Sequence, residues 1–173
     1  QVSLLEIASG QGGDLHRWVK SEITSVLGID LASSGVEESE TRYEEKKATL
    51  RYRNLRNGEN YNYQFTRGDA SQLFSTQPTT QDKLAQDEFR RGFDIVSIQF
   101  AIHYMFEDEA SLNNLIQNID DNLKPGGYLI GTTFDGASVL EQLRVSNPLE
   151  GKNEEETLWK IEMEGDIPSI ERV

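Results

Sequence analysis

Two stretches of this chain carry the residue types that could do chemistry. The first is Leu4-Leu5-Glu6-Ile7-Ala8-Ser9-Gly10-Gln11-Gly12-Gly13-Asp14-Leu15, and the second is Gln99-Phe100-Ala101-Ile102-His103-Tyr104. An apolar strand that runs through a small-residue turn into a helix brings the backbone close to a nucleoside cofactor. An amide, two aromatics and a histidine at the end of another strand make a stacking surface with polar edges. Together they imply a site with an adenosine cofactor on one side and a flat, polar second substrate on the other.

Each candidate has a plainer alternative. Glycine lacks Cβ and tolerates positive φ, so the turn Ala8–Gly13 allows close backbone approach, but a tight strand-to-helix turn needs no ligand to explain it. A dinucleotide-binding turn also competes, although the frame Ala8-x-Gly10-x-Gly12 departs from G-x-G-x-x-G. Asp30 closes the run Ser25–Asp30, where a carboxylate can accept from both ribose hydroxyls or serve as a loop or helix-start acid. Asp69 follows Gly68 and could receive the exocyclic amine of adenine or cap the next turn. His103, one of two histidines, lies between aromatics as a pocket residue or a buried cluster member. Arg42, with Lys46, Lys47, Arg51 and Arg53 near it, could anchor a phosphate chain or form a solvated face. His16 lies among charges and reads as structural.

These residues must be positioned by alternating strands and helices. Strands are predicted at Val2–Ile7, Ser25–Asp30, Tyr63–Asp69, Phe93–Ile98 and Tyr128–Thr133, and Thr157–Met163 as a further strand or hairpin arm. Helices are predicted at Asp14–Lys20, Ser33 to about Leu50, Asp108–Leu123 and Gly136–Val145. Arg51–Asn62 reads as a polar loop, Gln72–Arg91 as loop plus a short helix, and Lys124-Pro125-Gly126-Gly127 as a turn. The expected fold is α/β, a mainly parallel sheet covered by helices on both faces, in one domain spanning residues 1–173. Ligands bind such sheets outside the carboxyl ends of the strands, where Glu6–Gly10, Asp30, Asp69 and Gln99–Tyr104 all fall.

Composition narrows the function. The 173 residues suffice for one real core. With no Cys and two His, neither a disulfide framework nor a structural zinc site is expected, and no metal is assigned. There is no membrane-length apolar run and no signal peptide, so intracellular residence is the default. The chain opens inside a strand, as a fragment of something longer would. A net charge of −13 disfavours wrapping a long nucleic acid but permits one nucleotide or RNA end in a specific pocket.

The motifs, taken together, resemble S-adenosylmethionine-dependent methyltransferases of class I, with a Rossmann-like fold. More narrowly they resemble the mRNA cap (guanine-N7) methyltransferase family, whose members carry L-[DE]-L-G-C-G-K-G-G-D-L, a strand-end Asp, an R-Y helix, Q-F-x-x-H-Y and P-G-G-x-[FL]-[IF]-G-T. Here these read Leu5–Leu15, Asp30, Arg42-Tyr43, Gln99–Tyr104 and Pro125–Thr132. The resemblance implies that Glu6 and the Ala8–Gly10 backbone face the methionine part of the cofactor, with Gln99 near it. It implies Asp30 at the ribose and Asp69 at the adenine, with Asp14 and Ala70 also in the cofactor-binding set. Phe100, His103 and Tyr104 would line the guanine pocket, and Gln11 and Arg42 would meet the cap phosphates.

Two positions depart from the family. Gln11 replaces a Lys that would help hold the phosphates. Ala8 replaces the first Gly, which is tolerable if φ is negative there, and Ser9 replaces the Cys. By the same resemblance the domain is incomplete at both ends, lacking its last strands, part of the cap pocket and an N-terminal Lys, and would be inactive alone. The implied reaction moves a methyl group from S-adenosylmethionine to guanine N7 of the GpppN cap, leaving S-adenosylhomocysteine, by positioning and with no catalytic base. The implied partners are the capped 5′ end of mRNA and other capping enzymes or an activating subunit, with no membrane. The location would be nuclear for a cellular enzyme and cytoplasmic for a viral capping module. The alternatives are a methyltransferase for tRNA, protein or a small molecule, and a catalytically silent partner of another capping subunit.

Overall fold

A computed structural model describes residues 2–57, 61–153 and 156–163. The chain forms two compact units, Gln1–Thr133 and Phe134–Val173. The first contains β1 (Ser3–Ile7), α1 (Leu15–Lys20), β2 (Ser25–Asp30), α2 (Ser33–Asn57), β3 (Asn62–Arg67), α3 (Pro78–Leu84), β4 (Phe93–Gln99), α4 (Glu109–Asn122) and β5 (Leu123–Thr132). The second contains α5 (Gly136–Val145) and the antiparallel hairpin of β6 (Leu149–Lys152) and β7 (Thr157–Ile161).

The five strands of the first unit pair in parallel in the order β3-β2-β1-β4-β5. Side chains alternate between the two faces of a strand, so each apolar run supplies two cores. Leu5, Ile7, Leu27, Ile29, Val96 and Ile98 pack with Phe74, Phe89 and Leu115 in one buried cluster. Leu4, Val26, Tyr63 and Phe65 pack with Leu15, Trp18 and Val36 in the other. The parallel arrangement puts the carboxyl ends of β1, β2, β3 and β4 along one rim, and the turns that follow them carry the candidate residues.

Three elements depart from the sequence expectation. Helix α2 continues to Asn57, through part of the stretch read as a loop. Residues 51–57 contain no Gly or Pro, and their Arg and Leu residues are good helix formers, so nothing stops the helix before Gly58. β5 starts at Leu123, so the Lys124–Gly127 turn lies inside the strand as an irregularity in its pairing with β4 between Phe93 and Ile95. β6 has no apolar alternation to announce it and exists through its pairing with β7.

Candidate cofactor and substrate site

The turn after β1 is fixed from three sides. Ser9 N–H donates to the Ile29 carbonyl of β2 at 3.1 Å, and Gly12 N–H closes back on the Ser9 carbonyl at 3.0 Å. Gly10 N–H donates to Asp30 Oδ2 at 2.7 Å, while Ala32 N–H donates to Asp30 Oδ1 at 2.9 Å. The fully buried Ser39 hydroxyl of α2 reaches the Gly10 carbonyl at 3.2 Å. Asp30 thus joins the end of β2 to the glycine turn, leaving further lone pairs on each oxygen. Gly10 and Gly12 take φ of +55° and +69°.

Ala8 takes φ of +58°, so the condition under which alanine would replace glycine there without cost, a negative φ, is not met. The backbone path from β1 into the turn demands the left-handed region there, and alanine adopts it at a steric cost of about 1–2 kcal/mol.

A cleft of about 330 Å³ opens beside this turn, lined by Glu6, Asp14, Arg17, Trp18, Ser97, Gln99, Phe100 and Thr132, among others. Four of the candidate residues meet here: Glu6, Asp14, Gln99 and Phe100. Glu6 is almost fully buried. Burial pushes its carboxyl up to about 7, a hydrogen bond from Ser97 opposes this, the Asp14 charge adds to it, and a hydrogen bond from Trp18 opposes it. The parallel register sets Glu6 opposite Ser97 and Gln99 opposite Thr132. The result is a continuous polar row: Thr132 Oγ1 donates to Gln99 Oε1 at 2.9 Å, and Gln99 Nε2 donates to Ser97 Oγ at 2.9 Å. Asp14 precedes α1 as its N-cap but accepts no capping hydrogen bond, and its carboxylate pairs with the Arg17 guanidinium instead.

The candidates at β3 lie apart from that cleft. Asp69 Oδ1 accepts from Ser71 N–H at 2.9 Å and from the Ser71 hydroxyl at 2.6 Å, the turn-capping alternative. Its backbone is held on both sides by the Gln77 amide. Ala70 is buried, and Asn118 of α4 donates to the carbonyls of Ala70 and Gln72 and accepts from Phe74 N–H.

Beyond β4 the chain changes direction at Phe100, which takes φ of +52° while its N–H donates to the Thr132 carbonyl at 2.8 Å. A non-glycine residue in this region stores strain and marks a functional candidate. A short 3₁₀ turn, Ile102–Phe106, then sets the His103 and Tyr104 rings 4.2 Å apart between centroids. Phe100, Tyr104 and Phe106 are all exposed, an aromatic surface at the rim of the sheet.

Arg42 and Gln11 come together, with Arg42 donating to Gln11 Oε1 at 3.4 Å and to Glu38 at 2.8 Å. Arg42 and Lys46 line a second cleft with Gly12, Gly13 and His16. Lys47 turns away to Glu44 and the Tyr43 ring. The side chains of Arg51 and Arg53 lie outside the described residues. A cleft of about 560 Å³ beneath α2 and β3 is lined by Tyr43 and Lys47 but by none of the cofactor or guanine candidates. Among the described residues no group of three or more His, Cys, Asp or Glu could hold a metal, and no helix is long and apolar enough to cross a membrane.

The profile of the mRNA (guanine-N(7))-methyltransferase domain matches residues 1–171. The chain belongs to that family. It is 32% identical over 148 residues to the mRNA cap guanine-N(7) methyltransferase 1 of Arabidopsis thaliana, covering 86% of this chain and 37% of that one. It is 29% identical over 155 residues to a probable mRNA-capping enzyme of Acanthamoeba polyphaga mimivirus, covering 82% of this chain and 13% of that one. In fold it resembles a solved S-adenosylmethionine-dependent methyltransferase from Clostridium acetobutylicum, at a TM-score of 0.60 and 16% identity over 88% of this chain and 50% of that one. The fold is thus the Rossmann-like one of class I methyltransferases. The chain spans little more than a third of its plant relative.

Within this guanine-N7 methyltransferase domain, sequence reasoning missed Arg17, Trp18, Ser97 and Thr132 of the Glu6 cleft. Ser97 carried one faint signal, a polar residue inside an otherwise apolar strand. Its partnership with Glu6 depends on the β1–β4 register, which joins residues far apart in sequence. Arg17 could be found only once α1 was placed, because its spacing from Asp14 matters on a helix.

Proposed function

We propose that this chain is part of an enzyme that methylates guanine N7 of the mRNA cap, with S-adenosylmethionine as donor. The observation that carries this reading is the aromatic surface of Phe100, His103 and Tyr104 at the end of β4, next to the Glu6–Gln99 cleft, in a member of the cap methyltransferase family. The two units would belong to one partial methyltransferase domain, since the family match runs through both.

The residues present fit the donor. A Cβ on Gly10 or Gly13 would meet nothing within 4 Å, so the turn offers open backbone for a nucleoside to approach. Asp30 would hold the ribose with the lone pairs left after capping Gly10 and Ala32. Asp69 would meet the adenine through Oδ2, with Ala70 beneath. Glu6, Ala8, Asp14 and Gln99 would surround the amino-acid end, and their acidity suits a cationic ligand. When bound, the donor supplies a methyl group on a sulfonium, already electrophilic.

Guanine N7 has a lone pair and no proton at neutral pH, so the chain's residues need no general base. Their task is alignment, which can contribute about 7–11 kcal/mol. Phe100 and Tyr104 would stack the guanine, His103 would hold its polar edge, and Arg42 with Gln11 would meet the phosphates. The partners would be capped mRNA and other capping enzymes or an activating subunit, in the nucleus for a cellular enzyme or the cytoplasm for a viral one.

Titration of the full-length protein with S-adenosylhomocysteine and then with GpppG tests this. Both should bind. Tyr104→Ala and His103→Ala should weaken the cap and leave the cofactor product nearly unaffected, and Asp30→Ala should abolish binding of the cofactor product. Cofactor binding without cap binding would point to another methyl acceptor. Binding of neither would point to a silent partner, a reading that the retained site residues oppose and for which Gln11 and Ala8 leave room.

A further inference from the structure

The cleft beside β1 holds a cation, Arg17, that the family motifs quoted above do not include. Asp14 and Arg17 stand one helical turn apart on α1, with the carboxylate and guanidinium joined as an ion pair, and both line the cleft that holds Glu6 and Gln99. Asp14 occupies the position where an aspartate ordinarily accepts a backbone N–H, yet it makes no such bond. Arg17 is 69% exposed along its side chain, so its guanidinium is accessible from the cleft, and an exposed pair of this kind adds little to stability. A carboxylate beside a guanidinium is the complement of an α-amino acid, which presents an ammonium and a carboxylate on one carbon.

We propose that Arg17 is a binding residue of this site, pairing with the α-carboxylate of the donor's amino-acid end while Asp14 takes its α-ammonium. This rests on the reading of the cleft as a sulfonium-donor site. It adds a cationic contact from within this chain to a cleft whose other charged members, Glu6 and Asp14, are both acidic. The Asp14 carboxylate attracts the ammonium but repels the donor's own carboxylate, and Arg17 offsets that repulsion. The guanidinium is planar and can grip the carboxylate with two parallel N–H donors.

The test compares S-adenosylhomocysteine with 5′-methylthioadenosine, which keeps the nucleoside and the sulfur but lacks the amino-acid end. Dissociation constants are measured on the full-length protein for the parent, Arg17→Ala and Arg17→Lys. The parent should bind S-adenosylhomocysteine more tightly than methylthioadenosine. Arg17→Ala should weaken S-adenosylhomocysteine about tenfold and change methylthioadenosine less than about twofold, with only part of the loss restored in Arg17→Lys, which keeps the charge but not the two-donor grip. The inference is overturned if Arg17→Ala leaves S-adenosylhomocysteine unchanged or weakens both ligands alike, the latter marking a fold effect. A parent that binds neither ligand would overturn the methyltransferase reading itself, and this inference with it.

Discussion

Glu6 and Ala8 stand on either side of Ile7 at the end of β1 and carry different kinds of cost. The cost at Ala8 lies in its backbone, since φ of +58° crowds its Cβ. Ala8→Gly should relieve about 1–2 kcal/mol of that crowding and return part of it as unfolded-chain entropy, for a net gain of about 0.5–1 kcal/mol. A denaturant midpoint that fails to rise would contradict this. The cost at Glu6 lies in its charge. Its carboxyl holds a proton up to about pH 7 in the folded protein, against an ordinary value of 4.5, so the folded state binds more protons in that window. Glu6 therefore contributes stability that is fully present below about 4.5 and lost as pH rises through 7, on the order of 3 kcal/mol in all. Relative to the parent, Glu6→Gln should gain stability as pH rises from 5 to 7.5, which chemical denaturation across that range would measure. Both residues were legible as site candidates from their motif. The sign of φ at Ala8 and the burial of Glu6 were not, because each is imposed by neighbouring strands.

At the scale of elements, strand β2 and helix α2 hold the glycine turn in place. Gly28 lies where a Cβ would come within 2.6 Å of the Phe65 ring and 2.9 Å of Ser9 Oγ. Gly28→Ala should therefore cost about 1–3 kcal/mol and disturb the turn, whereas Gly13→Ala, which meets nothing, should be close to neutral. Thermal unfolding of the pair decides it: equal shifts would show that Gly28 is not what seats the turn. The three inner strands, β2, β1 and β4, were readable in sequence because burial on both faces requires nearly continuous apolar runs. The pairing of Glu6 with Ser97, the extension of α2 to Asn57 and the emergence of β6 were not. Each depends on register or on the absence of a stop signal, neither of which leaves a periodic trace.

At the scale of the whole chain, charge would govern how the proposed capped RNA approaches. A net charge of −13 means each nucleotide beyond the cap brings its phosphate into a negative field. Affinity should therefore reside in the cap. Capped RNA of about ten nucleotides should bind within several-fold of GpppG at about 150 mM salt, with the shallow salt slope of only about one to three phosphate contacts. A slope of six or more would refute a cap-centred mode. The fold class was legible at this scale from the alternation of strands and helices, and the acidic balance directly from composition.

The position of β5 at one end of the sheet has a consequence for handling this chain on its own. Among the described residues its outer row of N–H and C=O groups faces no neighbouring strand of that sheet, and Tyr128, Leu129 and Ile130 are exposed along it. Such an edge can template a strand from another copy, and what opposes this is the repulsion between highly acidic molecules. Colloidal stability is thus electrostatic: dilute low-salt solutions above neutral pH should scatter little light, and acidification toward the isoelectric point near 4.6 should turn them cloudy before the chain unfolds.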